Sequence, residues 1–163
     1  MLTRLEKTLF RLEAQYACIG WAVQQISGRP GIVFELGLGN GRTFHHLRHL
    51  LPDRSIIVFE RQVGSYPDCT PDPDQLILGD MAETLPAAAR RFEGQVILAH
   101  SDVGTFEADH NAAMARIVGT HLPRALAPGA IVMSDLPLEL DGAQALDLPA
   151  GARPGRYYLY RAA

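Results

Sequence analysis

At 163 residues the chain has room for one domain with a proper core and none for a second folded unit. Fifteen Lys and Arg against eighteen Asp and Glu leave a net charge of −3, and the arginines are scattered, which argues against nucleic acid as a partner. Hydrophobic residues make up 47% and charged residues 20%, as in soluble globular proteins, and no stretch nears the roughly 20 apolar residues that span a bilayer.

Residues 1–28 read as a helix. Leu2, Leu5, Leu9, Leu12, Tyr16, Ile19, Val23 and Ile26 alternate three and four apart and draw one apolar stripe. Thr3 and Glu6 have capping-box spacing, and Gly28-Arg29-Pro30-Gly31 ends the helix. Charge alternates with leucine from the start, so this segment is not a secretory leader. The stripe is longer than covering a small sheet requires, so a homodimer contact through this helix is expected.

Short apolar runs then alternate with helical stretches. The runs are 31–36, 55–59, 75–78, 95–99 and 130–133, continuous and rich in Ile, Val and Leu, as in parallel strands covered on both faces. Helices fit 42–51, 82–92 and 106–126 between them. Residues 61–74, with Pro67, Pro71 and Pro73, read as a loop with one turn of helix at most, placed to act as a lid. Residues 156–160 look like a last strand, with 143–148 as its partner. This alternation predicts an open α/β sheet, whose ligands bind beyond the carboxyl ends of the strands. Cys18 and Cys69 lie far apart, match no metal spacing, and suggest a reduced, cytoplasmic protein.

The residues just after each strand therefore carry the functional argument. After the first comes Glu35-Leu36-Gly37-Leu38-Gly39-Asn40-Gly41-Arg42-Thr43. Three alternate glycines let the backbone turn tightly and approach a ligand, and the next helix opens at once with free N–H groups. A dinucleotide fingerprint would read G-x-G-x-x-G. Here the spacing is G-x-G-x-G, and the acid two residues before it would repel a pyrophosphate but suit the ammonium of an amino acid. Glu60 ends the second strand, where a carboxylate can accept both ribose hydroxyls. Gly79-Asp80-Met81 ends the third, and Asp80 also fits as an N-cap. Ala99-His100-Ser101-Asp102 follows the fourth.

From Val33 to Asp135 this arrangement resembles the class I S-adenosylmethionine-dependent methyltransferases, whose motif reads E-x-G-x-G-x-G. The resemblance implies a Rossmann-like, mostly parallel twisted sheet of about seven strands, the last antiparallel. Helices flank it, with an extra N-terminal helix. One domain, 1–163, would divide into that helix, a cofactor core at 31–135 and C-terminal strands at 136–163. The resemblance further implies S-adenosyl-L-methionine as cofactor and S-adenosyl-L-homocysteine as product. Its contacts would be Glu35, Gly37, Leu38, Gly39, Asn40, Gly41 and Thr43, then Glu60 and Arg61, then Gly79, Asp80 and Met81, with His100 and Ser101 at the methionine end. Asp80 would meet the adenine amine and Met81 its ring.

Methyl transfer mostly needs alignment and exclusion of water, with a base where the acceptor must lose a proton. His100 is the first candidate and Asp102 the second, with His110 a distant third. The segment after the fourth strand is neither the Asn-Pro-Pro-Tyr type of amino-group methylation nor the magnesium-binding Asp of catechol-type enzymes. Asp102 and Asp135 could face one another, but no metal is expected. His45, His46 and His49 fit a solvated helix face. With no separate acceptor domain, a small-molecule acceptor is expected. A nicotinamide-dependent oxidoreductase and a non-catalytic cofactor-binding protein are the alternatives.

Overall fold

The structure is a computed structural model that describes residues 1–163. Its helices are α1 (Arg4–Gln25), α2 (Arg42–Leu50), α3 (Met81–Arg91) and α4 (Ala108–Ala125). Its strands are β1 (Ile32–Leu36), β2 (Ile56–Glu60), β3 (Leu76–Leu78), β4 (Val96–Ser101), β5 (Leu126–Ser134), β6 (Gln144–Leu146) and β7 (Tyr158–Arg161). They form one seven-stranded sheet in the order β3-β2-β1-β4-β5-β7-β6. The first five pair in parallel, and β7 runs antiparallel to both its neighbours. This is the expected Rossmann-like α/β sheet with its last strand reversed.

Side chains alternate along each strand and so build one core on each face. Val33, Ile56, Val58 and Met133 pack under α1 and α2 with Cys18, Ile19, Phe44 and Leu47. Phe34, Ile57, Phe59 and Val132 pack under α3 and α4 with Leu85, Ala88, Val118 and Leu122. The central strands β1, β2, β4 and the second half of β5 are buried on both faces, which is why they read as unbroken apolar runs, whereas edge strand β3 is only partly covered.

The start of α1 carries the expected capping box, with the Glu6 N–H donating to Thr3 and the Thr3 N–H to Glu6. Its apolar stripe divides in two, with Ile19 and Ile26 buried in the core and the earlier positions exposed. The face laid on the sheet is Ala14, Cys18 and Ala22 with Ile19, small side chains that let the helix approach closely. Leu5, Leu9 and Tyr16 are 78%, 48% and 72% exposed. Arg11 and Gln15 reach Asp102 beyond the end of β4, so the turns before them have run past the carboxyl edge of the sheet.

Two further differences have local causes. β5 begins at Leu126, straight from α4, four residues before the run at 130–133. Pro128 and Gly129 hide that start, although Arg29 braces it by donating to both their carbonyls. The loop after β2 holds two 3₁₀ turns, Pro67–Cys69 and Pro73–Gln75, each begun by a proline. No helix is long and apolar enough to cross a membrane.

Candidate active site

The strand order reverses between β1 and β4, the switch point where α/β sheets open a crevice. A cleft of about 510 Å³ lies there, within the range of small-molecule sites. Its lining comes from the carboxyl ends of four strands: Gly37 and Gly39 after β1, Glu60 and Arg61 at β2, Gly79, Asp80 and Met81 after β3, and Asp102 after β4. With His110 on the facing wall, the structure thus brings together nine residues singled out from sequence.

The glycine loop is fixed from both sides. Gly37 has φ +87°, and a Cβ there would stand 2.6 Å from the Asp102 carbonyl oxygen. Gly41, φ +83°, begins α2, and a Cβ would collide with the Cys69 carbonyl. Gly39 between them has open space before it, so a ligand can lie against its backbone. Glu60 ties the loop to β2: one carboxylate oxygen accepts from the N–H groups of Leu38 (2.9 Å) and Gly39 (3.0 Å), the other from Arg61 N–H (2.6 Å). Asp80 caps α3 by accepting from Ala82 N–H at 2.9 Å and also stands in the cleft wall. The lid expected at residues 61–74 is fastened at its middle. Tyr66 N–H donates to Asn40, Arg48 donates to the Asp68 carbonyl, and Cys69 is buried against Gly41.

Of the opposite wall, only His110, the third candidate base, was singled out from sequence. His110, Met114 and Ile117 follow one another at i, i+4 and i+7 on α4, and Val103, Gly104 and Thr105 lead up to it. Asp135 shapes that approach by accepting from the N–H groups of Val103 (3.2 Å) and Gly104 (2.8 Å). Burial, then the charge of Asp102, push the Asp135 pKa up to about 6, against those two donors. A second cavity of about 250 Å³ adjoins the cleft, lined by Leu38, Asn40 and Thr43 with Arg11, Gln15 and Arg42. Gly39, Asp102 and Gly104 line both spaces.

Four expected contacts lie elsewhere: Gly41, set against Cys69, and three buried side chains. His100, the first candidate base, is fully buried and lines neither cavity. Its Nδ1 meets Glu35 Oε1 at 2.9 Å and its Nε2 meets the Tyr157 hydroxyl at 3.0 Å, so both ring nitrogens are committed. Burial opposes the imidazolium, but Glu35, with Asp102 and Asp135 beyond, outweighs it and raises the imidazole pKa. Glu35 is equally buried; Thr43 donates to its Oε1 at 2.8 Å, and its Oε2 has no partner. Ser101 is also buried, its hydroxyl unpartnered. From this interior a chain leads outward: Gln15 Nε2 donates to the Tyr157 hydroxyl (2.7 Å) and to Asp102 (2.8 Å). Sequence could not pair Gln15 and Tyr157 with His100, since they lie 85 and 57 residues away.

Of the remaining histidines, His46 stacks on Tyr16 with ring centroids 5.5 Å apart, while His45 and His49 are exposed. No three His, Cys, Asp or Glu side chains gather closely enough to hold a metal ion.

Comparison with known proteins agrees with this geometry. A family model described as S-adenosyl-L-methionine methyltransferase matches residues 2–162. A crystal structure of an S-adenosyl-L-methionine methyl transferase from Silicibacter pomeroyi DSS-3 is similar over 100% of both chains, at 43% identity and a TM-score of 0.95. The antibiotic-resistance methyltransferase Kmr shares the fold at 15% identity and a TM-score of 0.51, over 89% of this chain and 93% of its own. So does the mycinamycin-pathway methyltransferase MycE, crystallised with Mg and S-adenosylhomocysteine, at 15% identity and 0.50, over 79% of this chain and 34% of its own. No curated protein sequence matches. With the family matched along nearly its whole length, the chain belongs to the S-adenosyl-L-methionine methyltransferases and is an enzyme that uses S-adenosylmethionine.

Proposed function

We propose that this methyltransferase acts on a small-molecule acceptor and that Asp102 receives the acceptor's proton. The observation that carries the reading is the junction of the two cavities at Gly39, Asp102 and Gly104. The residues on either side suit the two halves of the cofactor. Glu60 keeps a lone pair for a ribose hydroxyl on the oxygen that meets Arg61 N–H, and Asp80 offers one to an adenine amine. Met81 and Ile117 give apolar faces for the ring, and Gly39 leaves its backbone open. In the smaller cavity Arg11 and Arg42 suit a carboxylate. The sulfonium between those halves then falls beside Asp102.

S-adenosylmethionine brings a methyl group already activated by positive sulfur, so the protein's part is alignment and proton removal. Asp102 is the carboxylate that faces the junction, and Arg11, 3.5 Å away, holds its other oxygen. His100 cannot reach the junction and acts from behind. Glu35 likewise supports the site from beneath, holding Thr43 rather than lining either space. A small acceptor is supported by the single domain, the net charge of −3 and the confined junction. The exposed row Leu5, Leu9, Leu12 and Tyr16, with its three-and-four spacing, favours a second copy as partner. Sedimentation of wild type beside Leu9→Arg tests that pairing.

Methyl-labelled S-adenosylmethionine offered with a small-molecule extract and, separately, with cellular RNA tests the acceptor class. We expect label in the small-molecule fraction; label only in RNA would contradict the reading. Asp102→Asn should lower turnover about 100-fold or more, with S-adenosylhomocysteine affinity nearly unchanged.

A further inference from the structure

The chain from Asp102 to Glu35 has a direction, and the donors fix it. Gln15 Nε2 carries two hydrogens and meets two oxygens, Asp102 Oδ2 at 2.8 Å and the Tyr157 hydroxyl at 2.7 Å. Turning the amide over would set its oxygen against the Asp102 carboxylate, so the charge of Asp102 holds the N–H side outward. Tyr157 therefore accepts from Gln15 and gives its own hydrogen to His100 Nε2. His100 in turn keeps its hydrogen on Nδ1 and donates it to Glu35. Burial first, and then Asp102, push the Tyr157 pKa well up, so its hydroxyl stays a donor.

An imidazolium at position 100 would break this order. Nε2 would then donate, Tyr157 oxygen would accept twice, and the phenol hydrogen would have no acceptor in a buried site. Relief requires the Gln15 amide to turn over, and that requires a proton on Asp102. We propose that Gln15, Tyr157 and His100 are positioning residues forming a reversible hydrogen-bond chain, which makes cleft Asp102 and the buried His100–Glu35 pair take up protons together. In one state Asp102 is ionised, Gln15 donates to it, and His100 is neutral. In the other Asp102 is protonated and donates to the turned Gln15 oxygen, Tyr157 donates to that same oxygen, and the His100–Glu35 pair holds one more proton. Along the path from Asp102 to Glu35 each bridging hydrogen keeps an acceptor in both states, whereas an imidazolium beside ionised Asp102 leaves the phenol hydrogen without one.

The groups facing His100 set opposing tendencies. Glu35 from β1, Asp102 after β4 and Asp135 after β5 favour the imidazolium through charge, while Arg11 from α1 stands on the far side of Asp102. Thr43 from α2 takes up the second lone pair on Glu35 Oε1, and Gln15 and Tyr157 impose the donor order that favours the neutral ring. A proton placed on Asp102 during methyl transfer would turn the chain over and draw Gln15 into a new role at the junction. That purpose rests on Asp102 as the proton acceptor proposed above; the coupling itself does not, and the test below needs no turnover.

Charge and chain predict opposite signs for Asp102→Asn. Loss of a negative charge alone lowers the His100 pKa. Under the chain, the amide introduced by Asp102→Asn can donate to the turned Gln15, so His100 protonates more easily and its pKa rises. Gln15→Met changes no charge but removes the amide oxygen that the Tyr157 hydrogen needs in the turned state, so adding it to Asp102→Asn should cancel the rise. The measurement is a pH titration of ¹⁵N-histidine-labelled protein by NMR, with the His100 signals identified by their loss in His100→Gln. We expect hydrogen on Nδ1 in the wild type near neutral pH and an upward pKa shift of half a unit or more in Asp102→Asn, lost in the double variant. A fall in Asp102→Asn, or the same rise in the double variant, would overturn the coupling. Either result leaves cofactor binding and the choice of acceptor to be judged separately.

Discussion

Glu60 and Glu35 both stand at the carboxyl ends of neighbouring strands, yet they work under opposite conditions. Glu60, at the end of β2, is partly exposed, and it holds the N–H groups of Leu38, Gly39 and Arg61. Its partners are backbone, its surroundings are wet, and it faces the cleft. Glu35, one residue before the end of β1, is fully buried, and its partners are the side chains of Thr43 and His100. An uncompensated charge costs far more in the second setting than in the first. The half of the site around Glu60, where we propose that adenosine lies, is therefore built to bind, and the half around Glu35 is built to hold its shape. Variants that exchange these behaviours would break the contrast.

The largest effect should come from the dry side. His100→Leu leaves the Glu35 carboxylate buried with one donor fewer, and we expect a loss of about 3–5 kcal/mol in chemical denaturation. On the wet side, Glu60→Ala should cost about 1–3 kcal/mol in affinity for S-adenosylhomocysteine by calorimetry, with a far smaller effect on unfolding. If the two variants lost stability equally, the distinction between the two carboxylates would fail.

Asp80 sits between these cases, because its carboxylate both caps α3 and faces the cleft. Asp80→Ala should lower stability by about 1 kcal/mol and weaken cofactor binding as well. Asp80→Ser keeps a capping oxygen and should restore most of the stability without restoring the affinity.

The smallest effect concerns Asp135, whose pKa is raised to about 6 by burial and by Asp102. A raised acid pKa means that the folded state binds the extra proton, so stability from this group falls as pH rises from about 4 through 6. Asp135→Asn removes that dependence. The melting temperature of the variant should gain on wild type by a few degrees between those pH values. An unchanged difference across that window would show that Asp135 titrates normally.

The same contrast explains what could be read from the sequence. The glycine loop, Glu60, Asp80 and Met81 each sit immediately after an apolar run, so local order alone placed them around one cleft. The order Glu35-His100-Tyr157-Gln15-Asp102 is assembled from α1, β1, β4 and the segment before β7, and no local pattern ties those residues together. His100 looked catalytic because it follows a strand, but alternation along β4 turns it inward, while Asp102, two residues on, lies past the strand end and faces the cleft. The α1 stripe shows a related limit. Three-and-four spacing announced a helix, but Ala14, Cys18 and Ala22, too small to stand out as apolar anchors, are the residues that bring it onto the sheet. On the far wall, His110, Met114 and Ile117 did have a readable helical spacing, but nothing in it said which face of α4 meets the cleft.

The central claim is that S-adenosylmethionine lies across the junction, with its adenosine half held by the wet carboxylates. Calorimetric titration with S-adenosylhomocysteine, of wild type beside Glu60→Ala and Arg42→Ala, tests it most directly. We expect saturable one-site binding in wild type, weakened in both variants, since they stand at opposite ends of the proposed ligand. Full affinity in both variants would contradict the placement.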